Sequence, residues 1–269
     1  MNKPAPAAGA VAFEQTIQWY PGHMVKAMRR IAEDMRAIDV VVEVVDARVP
    51  RAGANPALAT MSGNRPRLVV LTRAQLADRN ATDTWLTTLR AEGREAIAID
   101  AKDRAGVARL RSALEALGGD RKSSRAMIIG IPNAGKSTAI NALVGRNVAR
   151  AEDRAGVTRS RQWFRIGHVE LMDTAGILVP KIDTADRQWK LALVGAVPRA
   201  RFDAEDVVDR FARWAAEHDL PEVPDLATFA QCRGFVRHGT MLDMHNAAWA
   251  YLKEWGDGRF GRMTLEMPA

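Results

Sequence analysis

Residues 130–138 read GIPNAGKST, and this stretch decides the fold. It matches the pattern G-x-x-x-x-G-K-[ST], a loop that cradles phosphates. Its flanks agree with that reading. AMIIGI at 126–131 is a short apolar run suited to a buried strand, and STAINALVG after Lys136 has helical spacing. Each residue type has a chemical reason to be there. Glycines let backbone N–H groups wrap the phosphates, Lys136 reaches the terminal phosphates, and Ser137 offers an oxygen to Mg2+. Asn133, Ala134, Gly135 and Thr138 complete the predicted cradle.

Upstream, DVVVEVVD (39–46), RLVVLT (67–72) and AIAID (96–100) are further short apolar runs. Helical patterns lie between them: Trp85, Leu86 and Leu89 before Gly93, then Val107, Leu110, Leu114 and Leu117 before Gly118. After the turn at Pro21-Gly22, Met24, Met28, Ile31 and Met35 share one helical face, with Lys26, Arg29 and Arg30 away from it. Strands alternating with helices predict an α/β fold, a parallel sheet covered on both faces. Downstream, residues 162–173 read as two short strands in a hairpin, an antiparallel pair at the sheet edge. Beyond Pro180 the strand signals stop. Val207, Val208, Phe211, Trp214 and Ala215 make one helical face, and Met244, Ala248, Tyr251, Leu252 and Trp255 another. The expected division is a P-loop domain over 1–180, its Ala/Pro-rich residues 1–15 a mobile tail, and a small all-α domain over 181–269.

The hairpin ends at Asp173, which begins DTAG (173–176). In a phosphate-hydrolysing domain that aspartate holds magnesium through water, and Gly176 offers its N–H to the terminal phosphate. AGVTR (155–159) lies between as a loop able to bring Thr158 to the metal.

Composition narrows the partners. The 269 residues are 47% hydrophobic and 26% charged, ordinary for a globular chain. Lys and Arg outnumber Asp and Glu by 39 to 32, a formal charge of +7 that favours a polyanionic partner. The stretches VPRARF (197–202) and QCRGFVRHG (231–239) either contact RNA phosphates or are solvated basic faces. The single cysteine, Cys232, excludes an intramolecular disulfide. The opening residues have neither a secretory apolar core nor an Arg-rich face, and no apolar run is long enough for a membrane span, so a cytoplasmic chain is expected.

IQWYPGHM, DVVVEVVDARVP, GIPNAGKST, AGVTR, DTAGIL and GRFGRMTLE together resemble the circularly permuted ribosome-biogenesis GTPases of the YlqF/RbgA type, from Trp19 to Glu266. The resemblance implies a GTPase domain whose base-recognition motifs precede the phosphate loop, followed by an RNA-binding helical domain. It implies GTP and GDP as ligands, Mg2+, and K+ through Asn133. As partners it implies a large-subunit ribosomal precursor and its rRNA, bound by a monomer that nucleotide state associates and releases. The family's N-K-x-D falls on Thr72-Arg73-Ala74-Gln75, and its S-A-K on Asp100-Ala101-Lys102.

Two departures follow. Gln75 presents one acceptor and one donor where a carboxylate accepts two N–H bonds from guanine, a difference worth roughly 1–3 kcal/mol. Asp78, one helical turn on, is the alternative carboxylate, and the Ala101 N–H serves the base oxygen whatever its side chain. After DTAG stand Ile177 and Leu178, which cannot orient water, and the resemblance gives hydrolysis to His23 of the Y-P-G-H segment. Two other readings stay open: a nucleotide-sensing RNA-binding factor with little turnover, and a P-loop NTPase of altered base specificity.

Overall fold

The structure, a computed structural model, describes residues 22–145, 162–174, 176, 182, 184–220, 222–237, 239 and 241–268, with the backbone alone for 22–25. Thr158, Ile177, Leu178 and the tail at 1–15 lie outside the described residues, as does the side chain of His23.

Six strands form one sheet in the order β3-β2-β1-β4-β6-β5. They are β1 (Val40–Asp46), β2 (Arg67–Thr72), β3 (Glu95–Ala98), β4 (Ser124–Gly130), β5 (Gln162–Ile166) and β6 (Val169–Asp173). All pairs are parallel except β5 with β6, so the hairpin sits at the edge as the sequence predicts. Every residue of β1 is buried, without the alternation of a one-sided strand, because helices cover both faces of the sheet. The chain moves outward from β1 to β2 and β3, then returns to place β4 on the other side of β1. That reversal leaves a crevice at the carboxyl ends of the strands, where α/β sheets hold their ligands.

The flanking helices are α1 (Gly22–Asp34), α2 (Pro50–Gly53), α3 (Ala57–Ser62), α4 (Arg79–Ala91), α5 (Arg104–Gly118) and α6 (Lys136–Val144). Asp78 and Asp103 start α4 and α5 by accepting backbone N–H bonds from the first turn. Gly118, expected to stop α5, is its last residue. The positive-φ exit falls on Gly119 at φ 66°, and Gly118 packs so closely on His168 and Ser124 that a side chain there would collide.

After Thr184 come α7 (Ala185–Leu193), α8 (Ala204–Glu217), α9 (Leu226–Cys232) and α10 (Met244–Gly256), the last three capped by Asp203, Asp225 and Asp243. Phe211 is fully buried between Trp214, Tyr251 and Trp255, with ring centroids 6.2, 6.2 and 5.8 Å away. This aromatic core is continuous with the sheet face under α5 and α6, through Trp189, Leu191, Val49 and Ile131. The opposite sheet face carries α1 on Val41, Met127 and Ile129, and α4 on Val69 and Leu71.

Residues 258–268 then cross back over the α/β layer, which helical periodicity does not foretell. Trp255 stacks under the guanidinium of the buried Arg48, 4.1 Å from its ring centre. Leu265 N–H donates to the Arg48 carbonyl at 2.8 Å. The Glu266 carboxylate takes the N–H groups of Arg51 and Ala52 at 2.5 and 2.7 Å.

Candidate nucleotide site

The carboxyl ends of β1, β2, β4 and β6 lie side by side, since Asp46 is in register with Thr72, Val44 with Gly130, and Ile128 with Asp173. Whatever follows each strand is therefore delivered to one edge. After β4 comes the loop at 131–135, entering α6 at Lys136. Asn133 and Gly135 adopt left-handed backbone at φ 58° and 89°. Gly135 is the tighter case, with the Thr72 hydroxyl 3.4 Å from where a Cβ would stand.

Lys136 folds back over this loop. Its Nζ donates to the carbonyls of Gly130 and Ile131, both at 3.1 Å, and only 8% of the residue is exposed. Burial lowers its pKa to about 8, against the opposing pull of the Asp173 carboxylate. Asp173 responds in the other sense, because burial raises its carboxyl while Lys136 and the Thr174 backbone N–H hold it down. Its Oδ1 is buried and accepts no hydrogen bond among the described residues. Ser137 is half-buried and Thr138 exposed in the first turn of α6. Gly176 closes the arrangement: a Cβ there would lie 2.9 Å from Pro132 Cα and 3.1 Å from Lys136 Nζ. Only glycine lets that backbone approach the loop so closely.

The loops after β2 and β3 meet the phosphate loop from the side. The Thr72 hydroxyl donates to the Ala134 carbonyl at 2.5 Å and lies 3.1 Å from that of Val45. Arg73, in the left-handed region at φ 55°, donates through Nη2 to the Asn133 carbonyl at 3.1 Å. Gln75 sits in a 3-10 turn over Ala74–Leu76, its Oε1 buried without a hydrogen-bond partner among the described residues. Ala74 N–H donates to the Ile99 carbonyl at 3.2 Å, which ties this turn to the loop carrying Ala101 and Lys102. Asp100 Oδ1 accepts the Lys102 N–H at 2.9 Å and so shapes that loop.

Two of the expected side chains also have structural partners. Asp78, the alternative carboxylate, caps α4, with its Oδ1 accepting the Ala81 N–H at 2.7 Å. Asn133 donates its amide Nδ2 to the Gly195 carbonyl at 2.7 Å, so this side chain links the phosphate loop to the turn after α7. His23 lies in the first turn of α1.

One contributor was not singled out from sequence. Asp46, at the end of β1, pairs with Arg48 at 2.9 Å and lies 3.7 Å from Arg73. Burial alone would raise its carboxyl, but the two arginines hold it below the ordinary carboxylate range. A carboxylate ending a central strand beside D-A-R was the available signal.

A phosphate loop on β4, with its neighbouring loops supplied by strands that come earlier in the chain, defines a circularly permuted P-loop GTPase fold carrying a helical C-terminal region. The family model described as 50S ribosome-binding GTPase matches residues 125–212. A protein of Bacillus cereus named ribosome biogenesis GTPase A is 36% identical over 278 residues, covering 94% of this chain and 94% of its own. Its namesake in Thermotoga maritima is 33% identical over 258 residues, covering 94% and 95%. The structure of GNP-bound YlqF from T. maritima superposes with a TM-score of 0.72 at 28% identity, covering 90% of this chain and 98% of that one. The chain belongs to the ribosome biogenesis GTPase A family.

Proposed function

We propose that this protein is a GTP hydrolase that binds a large-subunit ribosomal precursor in the cytoplasm and uses nucleotide state to time its association and release. The observation that carries the reading is the cradle itself, a buried lysine folded over a phosphate loop against Gly176, in a chain matching its GTPase relatives nearly end to end. In this reading residues 1–180 are the GTPase domain and residues 181–269 the RNA-binding one.

The chemistry of each residue supports a role in this reading. Lys136 and the N–H groups of residues 133–138 neutralise and hold the phosphates. The Ser137 hydroxyl and Asp173, whose Oδ1 lacks a partner among the described residues, are hard oxygen donors suited to Mg2+, with Thr158 the third. A magnesium ion held by these oxygens would supply positive charge against the phosphates. Gly176 reports the terminal phosphate to the segment leading into α7, Gln75, Ala101 and Lys102 face the base, and Thr72 and Arg73 brace the loop beneath it. His23 would assist the attacking water, and Asn133 Oδ1, the acceptor not used toward Gly195, would be the donor oxygen for K+.

The basic stretches differ in their freedom. Arg233 is paired with Glu254 at 2.7 Å and Arg237 with Asp243 at 3.1 Å, whereas Arg199 lies over Trp249 at 4.9 Å, an arrangement suited to a phosphate and a stacked base together. No helix among the described residues is long and apolar enough to cross a membrane.

Steady-state hydrolysis of GTP and ATP, with and without purified large subunits, tests the proposal. Subunit-stimulated turnover of GTP is expected. Equal rates for the two nucleotides, or no stimulation, would overturn it. Gln75 in the aspartate position favours one second reading, a nucleotide sensor that binds RNA with little turnover, and subunit binding without hydrolysis would select it.

A further inference from the structure

The turn that carries Gln75 is tied to its own domain at its start, through Ala74 N–H and Arg73, but not through its outward carbonyls. It enters through Arg73 in left-handed backbone, a conformation that costs a non-glycine residue about 1 kcal/mol. Its internal bonds are Leu76 N–H to the Arg73 carbonyl and Ala77 N–H to the Ala74 carbonyl, at 2.8 and 3.3 Å. The carbonyls facing outward find their donors in the segment GRFGRMTLE instead. Arg262 donates through Nη2 to Ala74 at 2.8 Å and through Nε to Ala77 at 2.9 Å. Met263 N–H donates to Leu76 at 3.0 Å. The Thr264 hydroxyl takes the Asp78 N–H at 3.2 Å. Gly258, at φ 80°, lies so near that an added Cβ would stand 2.5 Å from Leu76 Cδ2.

We infer that Arg262 is the positioning residue of base recognition: its guanidinium fork, bonded to the carbonyls on either side of Gln75, fixes where that side chain meets the purine. The inference rests on the base site proposed above. Arginine is needed because its planar fork reaches two carbonyls at once, while a lysine ammonium is a single point donor on a flexible stem. The segment is itself fixed beyond the turn, where Leu265 bonds to Arg48 and the Glu266 carbonyl accepts the Trp85 indole N–H at 2.8 Å. Selectivity for the base is thus set from the far end of the helical region, through contacts that touch no phosphate.

A double-mutant cycle on the full chain tests this, with GDP and ADP titrated against wild type, Gln75→Asp, Arg262→Ala and the double variant. Gln75→Asp restores two acceptors and is expected to raise the GDP:ADP affinity ratio about tenfold. Arg262→Ala in that background should abolish the gain and leave ADP affinity within about twofold, and Arg262→Lys should keep part of it. Amide exchange should quicken at residues 74–77 and stay unchanged at 131–137. If Gln75→Asp leaves the ratio unchanged, the base is not read at this turn, and both the base site and this inference fall. If the gain appears and survives Arg262→Ala, the base site stands and Arg262 does not position it. Equal weakening of GDP and ADP with a lowered Tm would reduce Arg262 to a structural tie.

Discussion

Arg73 reaches out of one loop and bonds the carbonyl of Asn133 in another, Nη2 to oxygen at 3.1 Å, so the segment after β2 grips the phosphate loop directly. Thr72 does the same one residue earlier, with its hydroxyl on Ala134. Thr72→Val keeps the shape and removes the donor from a buried carbonyl, a loss worth about 1–3 kcal/mol. The expected result is weaker binding of both GDP and ADP, by about tenfold, because the phosphate loop is loosened for either base. A calorimetric titration showing wild-type affinity for both would mean that the loop needs no such brace.

Lys136 links binding to pH. Its pKa near 8 in the fold lies below the ordinary 10.5, so the ligand-free protein carries the full penalty of a buried ammonium below about pH 8 and gains stability as pH rises from there toward 10.5. Bound phosphates restore the charge. Between those values nucleotide binding is therefore expected to take up a proton, seen as a heat that varies with buffer ionisation enthalpy at pH 9 and fades at pH 6. Lys136→Ala should abolish both the tight binding and the buffer dependence. Buffer-independent heats in the wild type at pH 9 would contradict the lowered pKa.

His23→Ala addresses hydrolysis. With Ile177 and Leu178 unable to orient water, a histidine acting on the transition state should supply most of the subunit-stimulated rate and little of the binding. Single-turnover assays should show that rate lost while GTP and subunit affinities hold. Equal rates in variant and wild type would leave His23 without a catalytic role, and a parallel loss of subunit binding would make it a contact residue.

Phe211 tests the shared core. It is fully buried among Trp214, Tyr251 and Trp255, whose cluster continues into the sheet layer. Phe211→Ala should cost about 3–5 kcal/mol in urea denaturation. One cooperative transition lowered as a whole is the expected form, and an early separate transition would show that the helical region unfolds alone.

What the sequence makes legible follows from range. The central strands β1, β2 and β4 declare themselves as short apolar runs because burial on both faces leaves little alternation to misread. GIPNAGKST and DTAG are legible because phosphate chemistry is met by residues adjacent in the chain. Short helices such as α2 and α3 carry too few turns to show a period. The capping role of Asp78 was hidden for a different reason: a helix-capping carboxylate and a base-reading one look alike until the Ala81 N–H is seen to bond to it. The contacts of Arg48 with Trp255, and of Arg262 with Ala74 and Ala77, join residues far apart in sequence and leave no local pattern to read.

That separation has a consequence for the order of synthesis. A chain made from its amino end exposes residues 74–77 long before residue 262 is added, and domains generally begin to fold during that interval. Strands β1, β2 and β4 and the phosphate loop can assemble meanwhile, but the carbonyls of Leu76 and Ala77 must stay with water until Arg262 and Met263 arrive, and that of Ala74 has only the Ala77 N–H of its own turn. On the base site proposed above, a nascent copy thus has its phosphate loop before its base turn is braced, and purine discrimination would be the last property the molecule acquires.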